Sequence, residues 1–420
     1  MVKRWLGKLA RARDRARGAA SSPPAYVTSM PEITPYSPTP AQGSSPRLNI
    51  ILPSINGAHY FGGIHTAVLL YQELCRHFPR SRVILSDAAP EQGALARLPG
   101  HVLGQAHAPA TAAREVVAYS DRYQKQLCVE PGDFWLCTGW WTAYAAQRLQ
   151  SWQASELGSQ VDLLYLVQDF EPGFYPWSSN YCAALSTYRP DRDLAIFNTG
   201  LLADYFAGQG LAFERKVVFE PTLNPGLRKT LQDVAAAPVP RERRIVIYGR
   251  PSTPRNAFEL ICEALRLWRA QYPGASSWKV VSPGEIKHDL DIGGLTIHGL
   301  GKLAIDEYGE LLATSSVGLS LMVSPHPSYP PLEMAAFGMR VVTNTYANKD
   351  LSRLSANLRS AQPTPEDIAR QLGLACAEAE AGGMLPLPAL QGQSGFLDDQ
   401  TFGDLASSIA AQVRAAGTTL

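Results

Sequence analysis

The sequence is short of charge: Asp, Glu, Lys and Arg make up 18% of its 420 residues, against roughly 25% in ordinary soluble domains. It lacks any run of about 18 consecutive apolar residues, so a membrane-spanning helix is not expected. Six cysteines (Cys75, Cys128, Cys137, Cys182, Cys262, Cys376) are scattered without a CxxC pair, and eight histidines show no HExxH spacing. Neither pattern supports a metal site. The basic N-terminus is not followed by the apolar run of about 7–15 residues that marks a secretory signal. Mostly apolar-flanked, free cysteines point to a reducing cytoplasm. What the chain has in quantity is hydrophobic residue, 45% of the total, enough for two or three domains of about 150 residues each.

The net charge of +1 is the sum of two unlike parts. Residues 1–18 hold Lys3, Arg4, Lys8, Arg11, Arg13, Arg15 and Arg17 against Asp14, a local +6 that leaves −5 on the rest. A mildly acidic body argues against nucleic acid as a partner. Val2, Trp5, Leu6 and Leu9 recur at helical spacing among these cations. The segment reads either as a weak, reversible contact with an anionic membrane surface or as a solvated basic tail. Residues 19–46 carry seven prolines among Ser and Thr and read as an extended linker.

From residue 47 onward, short apolar runs alternate with helical periodicity. Strands are expected at 48–55, 82–86, 134–138, 163–168, 195–198 and 216–219, with helices at 64–77 and 141–153. A second Pro-containing linker is expected at 220–243. The pattern then resumes at 244–248, 278–281, 295–298, 317–323 and 340–344. Continuous apolar runs such as 317–323 imply strands buried on both faces, hence parallel sheets. The fold class is α/β, with two Rossmann-like βα domains facing a central cleft. The expected divisions are 1–46 (basic segment and linker), 47–235 (first Rossmann-like domain), 236–395 (second Rossmann-like domain) and 396–420, a helix packing back on the first domain.

Ligands in doubly wound sheets sit beyond the carboxyl ends of the strands, so the loops there carry the candidate chemistry. Residues 54–63 end in Gly62-Gly63 before a helix, where backbone amides can approach an anion. Residues 248–256 hold Arg250 and Arg255, restrained by Pro251 and Pro254, a pair suited to a diphosphate. Residues 324–338 run Ser-Pro-His326-Pro-Ser-Tyr329-Pro-Pro-Leu-Glu333 into a helix; Glu333 suits either a ribose diol or simple helix-dipole complementation. Residues 168–177 place Asp169 and Glu171 beside Phe170, Phe174, Tyr175 and Trp177, the carboxylate and aromatic mixture of carbohydrate contact, or else a loop with its aromatics folded inward. His298-Gly-Leu-Gly-Lys302 adds one cation. Asp191-Arg-Asp193 has DxD spacing but precedes a strand, and Asp289-Leu-Asp291 shares that defect, so both read as decoys.

These loops resemble retaining glycosyltransferases of the GT-B fold, family four. Arg255 falls where that family's Gly-Arg-x4-Lys motif has lysine, Glu333 matches the second member of Glu-x7-Glu, and His326 replaces the first. The strings 168–177 and 324–334 are more closely similar to WsaF-type rhamnosyltransferases, a likeness covering about residues 48–375. It implies a nucleotide-diphospho-sugar donor, dTDP-β-L-rhamnose, a glycan or lipid-linked glycan acceptor of O-antigen type, and a cytoplasmic-face location. It also implies retention of configuration without a metal or other cofactor. The site assignments on this reading are Asp169, Glu171 and Arg250 as catalytic. Gly62, Gly63, Arg250, Arg255, Lys302, His326, Tyr329 and Glu333 bind donor, and Phe170, Tyr175 and Trp177 bind acceptor. A transferase for another hexose, a GT-B-fold epimerase, or a non-catalytic glycan-binding subunit are the alternative readings.

Overall fold

The computed structural model describes residues 30–43, 45–57, 60, 62–120, 125–237, 239–382, 395–398 and 402–415. The basic segment 1–18 and the start of the Pro-rich stretch lie outside the described residues. Met1–Thr34 and Pro35–Leu420 are separate compact units. The described part of the first is a single 3-10 turn, Pro31–Ile33.

The second unit opens on β1 (Ser37–Pro40), β2 (Arg47–Leu52), α1 (Gly63–Leu74), β3 (Arg80–Leu85), β4 (Val102–Gly104), β5 (Arg114–Ala118), β6 (Gln126–Val129) and β7 (Asp133–Cys137). It continues through α2 (Trp140–Leu157), β8 (Leu163–Val167), α3 (Ser179–Leu185), β9 (Leu194–Phe197), α4 (Gly200–Gly208), β10 (Arg215–Val218) and α5 (Pro225–Ala236). Eight of these strands form a wholly parallel sheet in the order β10-β9-β8-β7-β2-β3-β5-β4. β2, β7, β8 and β9 are buried along their whole length, the mark of strands covered on both faces.

The second half comprises β11 (Glu242–Ile247), α6 (Phe258–Gln271), β12 (Lys279–Pro283), β13 (Leu290–Asp291), β14 (Thr296–Gly301), α7 (Ile305–Thr314) and β15 (Ser315–Leu319). It ends with α8 (Tyr329–Ala336), β16 (Arg340–Asn344), β17 (Leu358–Ala361), α9 (Pro365–Ala381) and α10 (Phe402–Ala415). Its sheet runs β13-β14-β12-β11-β15-β16-β17, with only β13 antiparallel. Both sheets reverse strand order next to their first central strand, β2 in one and β11 in the other, and open a crevice there. α10 returns to the first half, where Phe402, Ala406, Ile409 and Val413 join the core beneath the first sheet. Burying each large apolar side chain contributes about 1.5–3 kcal/mol.

Two expectations about linkers fail. Ser37–Pro40 is a strand, paired in parallel with β6 in a two-stranded sheet. Pro38 and Pro40 are tolerated because an edge strand needs its N–H groups on one side only. Residues 220–243 are no linker either, since α5 occupies their centre. Asn224 caps it by accepting from Gly226 N–H at 2.8 Å, and Pro225 stands at its first position. Leu227 is its one fully buried residue, and Leu231 and Val234 pack half-buried on the same face. β14 also runs on to Gly301, so the His298-Gly-Leu-Gly stretch is strand and not loop.

At the amino ends of β2, β3 and β7 sits a buried ion cluster. Arg47 grips Asp133 through two bonds, 2.6 and 2.7 Å, and reaches Glu130 at 2.9 Å. Arg80 closes on Glu130, Arg82 stands 3.6 Å from Asp133, and Asn49 donates to Asp133 at 2.9 Å. Burial works to raise the Asp133 carboxyl, but Arg47 and Arg82 outweigh it and hold it below the usual range. Its folded-state value being depressed, Asp133 contributes stability above the normal carboxylate pKa and loses it as pH falls through the lowered value. Asp133→Asn leaves buried guanidinium charge unpaired and is expected to cost about 3–5 kcal/mol in urea denaturation. It should also flatten the acid limb of stability against pH; an unchanged acid limb would remove Asp133 as its source.

Candidate active site

Asp169 follows β8 at the carboxyl edge of the first sheet, where the second domain closes over it. Ser324 Oγ donates to its Oδ1 at 2.5 Å, Phe170 N–H donates to the same oxygen at 2.8 Å, and Arg255 Nε stands 3.7 Å from Oδ2. The residue is only 8% exposed. Ser324 comes from the loop after β15 and Arg255 from the loop after β11, so one carboxylate joins three strand ends across two sheets. Arg255 also lies over the Phe174 ring, its Cζ 4.4 Å from the centroid, a cation–π contact to the same first-domain loop.

His326 is the second junction. Its Nδ1 accepts from Ser328 N–H at 2.9 Å, and its own N–H donates to Ser324 Oγ at 3.0 Å. Burial pushes the ring down to about 4, against the pull of Asp169 and with the push of Lys349 and Arg255. A neutral ring accepting at Nδ1 carries its hydrogen on Nε2. The side-chain amide of Asn198, at the end of β9, lies 3.2 Å from Nε2, and its Oδ1 has no other partner. The chemistry therefore turns the amide oxygen toward the ring, as acceptor of Nε2–H. His326 thus ties the domains together as a neutral donor.

Ser328 is held at φ +69°, a backbone region unfavourable for a residue with a Cβ. Its amide bond to His326 fixes it there. The other non-glycine residues with positive φ among those described are Ala257 and Ala347, in the loops after β11 and β16. All three strained positions follow strands of the second sheet, on the cleft side.

Lys349, which no motif in the sequence marks, is wholly buried in the loop after β16. Its Nζ donates to Met322 O at 2.6 Å. Burial lowers its ammonium to about 7, with Asp169 pulling the other way. Asn344 holds both the N–H and the C=O of the same Met322, at 2.7 and 3.1 Å. Further contacts cross the cleft: the Tyr329 hydroxyl lies toward Thr66 of α1, and Asn348 Nδ2 donates to Leu201 O at 2.8 Å.

The remaining expected residues fall into two groups. Gly62 precedes α1 with φ +47°, and Gly63 O accepts from Gln168 Nε2 at 3.2 Å, so both border the cleft. Ala58, His59 and Phe61 of that loop lie outside the described residues. Glu333 is half-buried; burial raises its carboxyl to about 7, and Tyr308 OH donates to it at 3.3 Å. Arg250 is 42% exposed, with Glu285 at 3.9 Å, and Lys302 is exposed past the end of β14.

Phe170, Tyr175 and Trp177, expected to contact acceptor, differ in where they point. Phe170 faces inward, packed against Tyr188, Tyr205 and Phe206. Tyr175 OH accepts from the Trp140 indole at 3.0 Å, and Trp177 points outward, 96% exposed. The α8 N-terminus offers little to a phosphate: Pro330 and Pro331 have no N–H, and Ser328 N–H is committed to His326. Asp193 is spent on Arg189 at 2.5 Å.

Two family models match this chain: "WsaF, N-terminal domain" over residues 47–200 and "WsaF, C-terminal domain" over 243–373. The chain belongs to the WsaF family. It is similar to the O-antigen biosynthesis protein RfbC of Myxococcus xanthus, 30% identical over 317 residues. That match takes in 75% of this chain but 23% of RfbC, so the chain spans about a quarter of that relative. Solved structures show the same fold. Sucrose-phosphate synthase from Thermosynechococcus elongatus superposes with a TM-score of 0.54 at 10% identity, over 88% of this chain and all of that one. A trehalose-phosphate synthase from Burkholderia vietnamiensis gives 0.54 at 10%, over 89% and 99%. WaaG, a glycosyltransferase involved in lipopolysaccharide biosynthesis, gives 0.50 at 13%, over 87% and 99%. This WsaF-family chain therefore has the GT-B architecture, two Rossmann-like domains about a cleft.

Within the family fold, Glu171 does not share the surroundings of Asp169. Its Oε2 accepts from Trp140 N–H at the start of α2, at 2.5 Å, and from Tyr165 OH at 3.4 Å. Burial drives its carboxyl up to about 8, opposed by the Trp140 N–H and assisted by Asp169. It acts on the helix terminus, as a cap. Because the folded value is raised, its contribution is complete below the unfolded pKa of about 4.5 and is lost as pH rises through about 8. Glu171→Gln should therefore fold normally and level the thermal stability between pH 5 and 8. Glu171→Ala should cost about 1–3 kcal/mol by orphaning the buried Trp140 N–H. Equal melting temperatures for the two variants would refute the capping role.

Proposed function

We propose that this protein is a glycosyltransferase of bacterial surface-polysaccharide synthesis, moving a sugar from a nucleotide-diphospho-sugar to a glycan hydroxyl. The observation that carries the reading is the pairing across the cleft. Arg255 and Lys349 of one domain meet the field of Asp169 of the other, and Arg250 lies on the same loop as Arg255, 3.9 Å from Glu285. Membership of the WsaF family and the O-antigen relative support the polysaccharide setting. Resemblance to WsaF-type rhamnosyltransferases favours dTDP-β-L-rhamnose as donor, with retention of configuration, at the cytoplasmic face of the membrane.

In the transfer, the bond from the anomeric carbon to the diphosphate oxygen breaks as the acceptor oxygen attacks the same face. The acceptor proton passes to the departing phosphate oxygen. The barrier lies in charge building on that phosphate beside an oxocarbenium-like carbon. Arg250 and Arg255 stabilise the departing charge from fixed positions in a desolvated cleft, and the chain's own cations suffice for this without a metal. Asp169 orients a hydroxyl of donor or acceptor, and Glu333, held by Tyr308, accepts from the nucleotide sugar. Tyr329 and the Gly62-Gly63 loop close over the donor from opposite domains, which excludes water.

A panel of nucleotide-sugars offered with a rhamnose-containing oligosaccharide and read by mass spectrometry tests the reaction. Transfer from dTDP-rhamnose in preference to UDP-hexoses is expected, with product anomeric configuration matching the donor's. Donor binding without transfer to any glycan would favour a non-catalytic subunit instead. Arg250→Ala should lower kcat by about 100-fold or more while shifting stability by less than about 0.5 kcal/mol, since the side chain is half-exposed. Near wild-type turnover would remove Arg250 from the diphosphate site.

A further inference from the structure

The cleft contains a cation that takes no part in the steps above. Lys349 is fully buried, and among the described residues the acceptor that holds its Nζ is Met322 O. That carbonyl lies three residues past the end of β15 and two before Ser324, whose hydroxyl bonds Asp169. The ammonium thus anchors the chain segment that delivers Ser324, and the Asp169 carboxylate favours its charged form. An ammonium has three donors, and burying it without a counter-charge is costly. Asp169 is the carboxylate whose field favours its charged form.

We propose that Lys349 is a positioning residue for the transfer reaction: its ammonium balances the Asp169 carboxylate from the opposite domain and holds the Met322–Ser324 segment that orients it. The inference rests on the transferase reading for its kinetic consequences, but the charge pairing stands apart from it.

The groups that face Lys349 are few. Asp169, from the loop after β8, favours its charge. His326, after β15, is neutral at physiological pH and so adds no charge, and its ring responds to Lys349, Asp169 and Arg255 alike. Arg255, after β11, is shared with Asp169 at 3.7 Å. Tyr205 of α4, beside Tyr346, is pushed up to about 12 by burial and by that neighbour, and stays neutral. Glu171 is coupled to Asp169 and not to Lys349. Loss of the Lys349 proton therefore leaves Asp169 with Arg255 alone.

The test compares wild type with Lys349→Met and Lys349→Arg in kcat and donor KM from pH 5.5 to 9. The methionine variant should lose kcat about 100-fold with donor KM changed less than about threefold, the mark of an interaction expressed in the transition state. The arginine variant, charged throughout, should retain turnover at pH 9, where wild type has fallen along a basic limb. Wild-type kcat in Lys349→Met, or an identical basic limb in Lys349→Arg, overturns the proposal. If wild type transfers no sugar at all, the transferase reading fails by itself. The pairing is then read by thermal melting of Asp169→Asn, Lys349→Met and the double variant. A double variant that is more stable than the sum of the two single-variant changes upholds the pairing, and strict additivity overturns it. Should Lys349→Met not fold, recovery of folding in the double variant gives the same answer.

Discussion

The desolvated Asp169 carboxylate is the point on which the closed cleft depends. A buried carboxylate is tolerable only where cations and donors surround it, and here these come from both domains. Its own loop supplies one backbone N–H; the second domain supplies Ser324, Arg255 and the field of Lys349. Separating the domains would strip the carboxylate of its partners and return it to water. The site depends on this contact, because Ser324, Arg255 and Lys349 answer to a charge on the other side.

The same constraint explains where the backbone is strained. Ala257, Ser328 and Ala347 adopt positive φ in three different loops, each following a parallel strand of the second sheet. These loops must carry Arg255, Ser324 with His326, and Lys349 to one place. Ser328 is kept in its unfavourable state by the bond its amide makes to His326. Neutral His326 in turn reaches Asn198 of the first domain. Local strain, ring tautomer and domain contact are thus one connected arrangement. The prolines at 330 and 331 fit it too: they start α8 cleanly while withdrawing two donors that a phosphate would otherwise find.

Much of the fold was legible in the sequence because buried parallel strands announce themselves as apolar runs. The central strands β2, β7, β8, β11 and β15 fall within a few residues of their expected places, and the loops after them hold the expected motifs. The failures have particular causes. Pro38 and Pro40 argue against a strand unless its edge position is known. α5 carries a short stripe of Leu227, Leu231 and Val234, which the prolines around it outweigh as a sequence signal. Phe170 and Glu171 adjoin Asp169 in sequence and carry the same carbohydrate-like signature. One packs among aromatic rings and the other caps a helix, a division that chain-neighbour chemistry does not encode.

By itself the sequence determined the α/β class, the two successive βα halves and the loops from which the site is built, since hydrophobic periodicity and glycine–proline placement are local properties. It also carried the identity of Arg250 and Arg255 as residues set beyond a strand end, and of Glu333 in a helix that follows one. Tertiary structure alone decided which charges meet. Lys349 stands 180 residues beyond Asp169 in the chain, with no motif around it, and becomes significant only when burial removes the water that would otherwise screen it. Asn198 and Ser324 likewise acquire their roles from a domain contact. Electrostatic pairing depends on distance and desolvation, and neither is written in the order of residues.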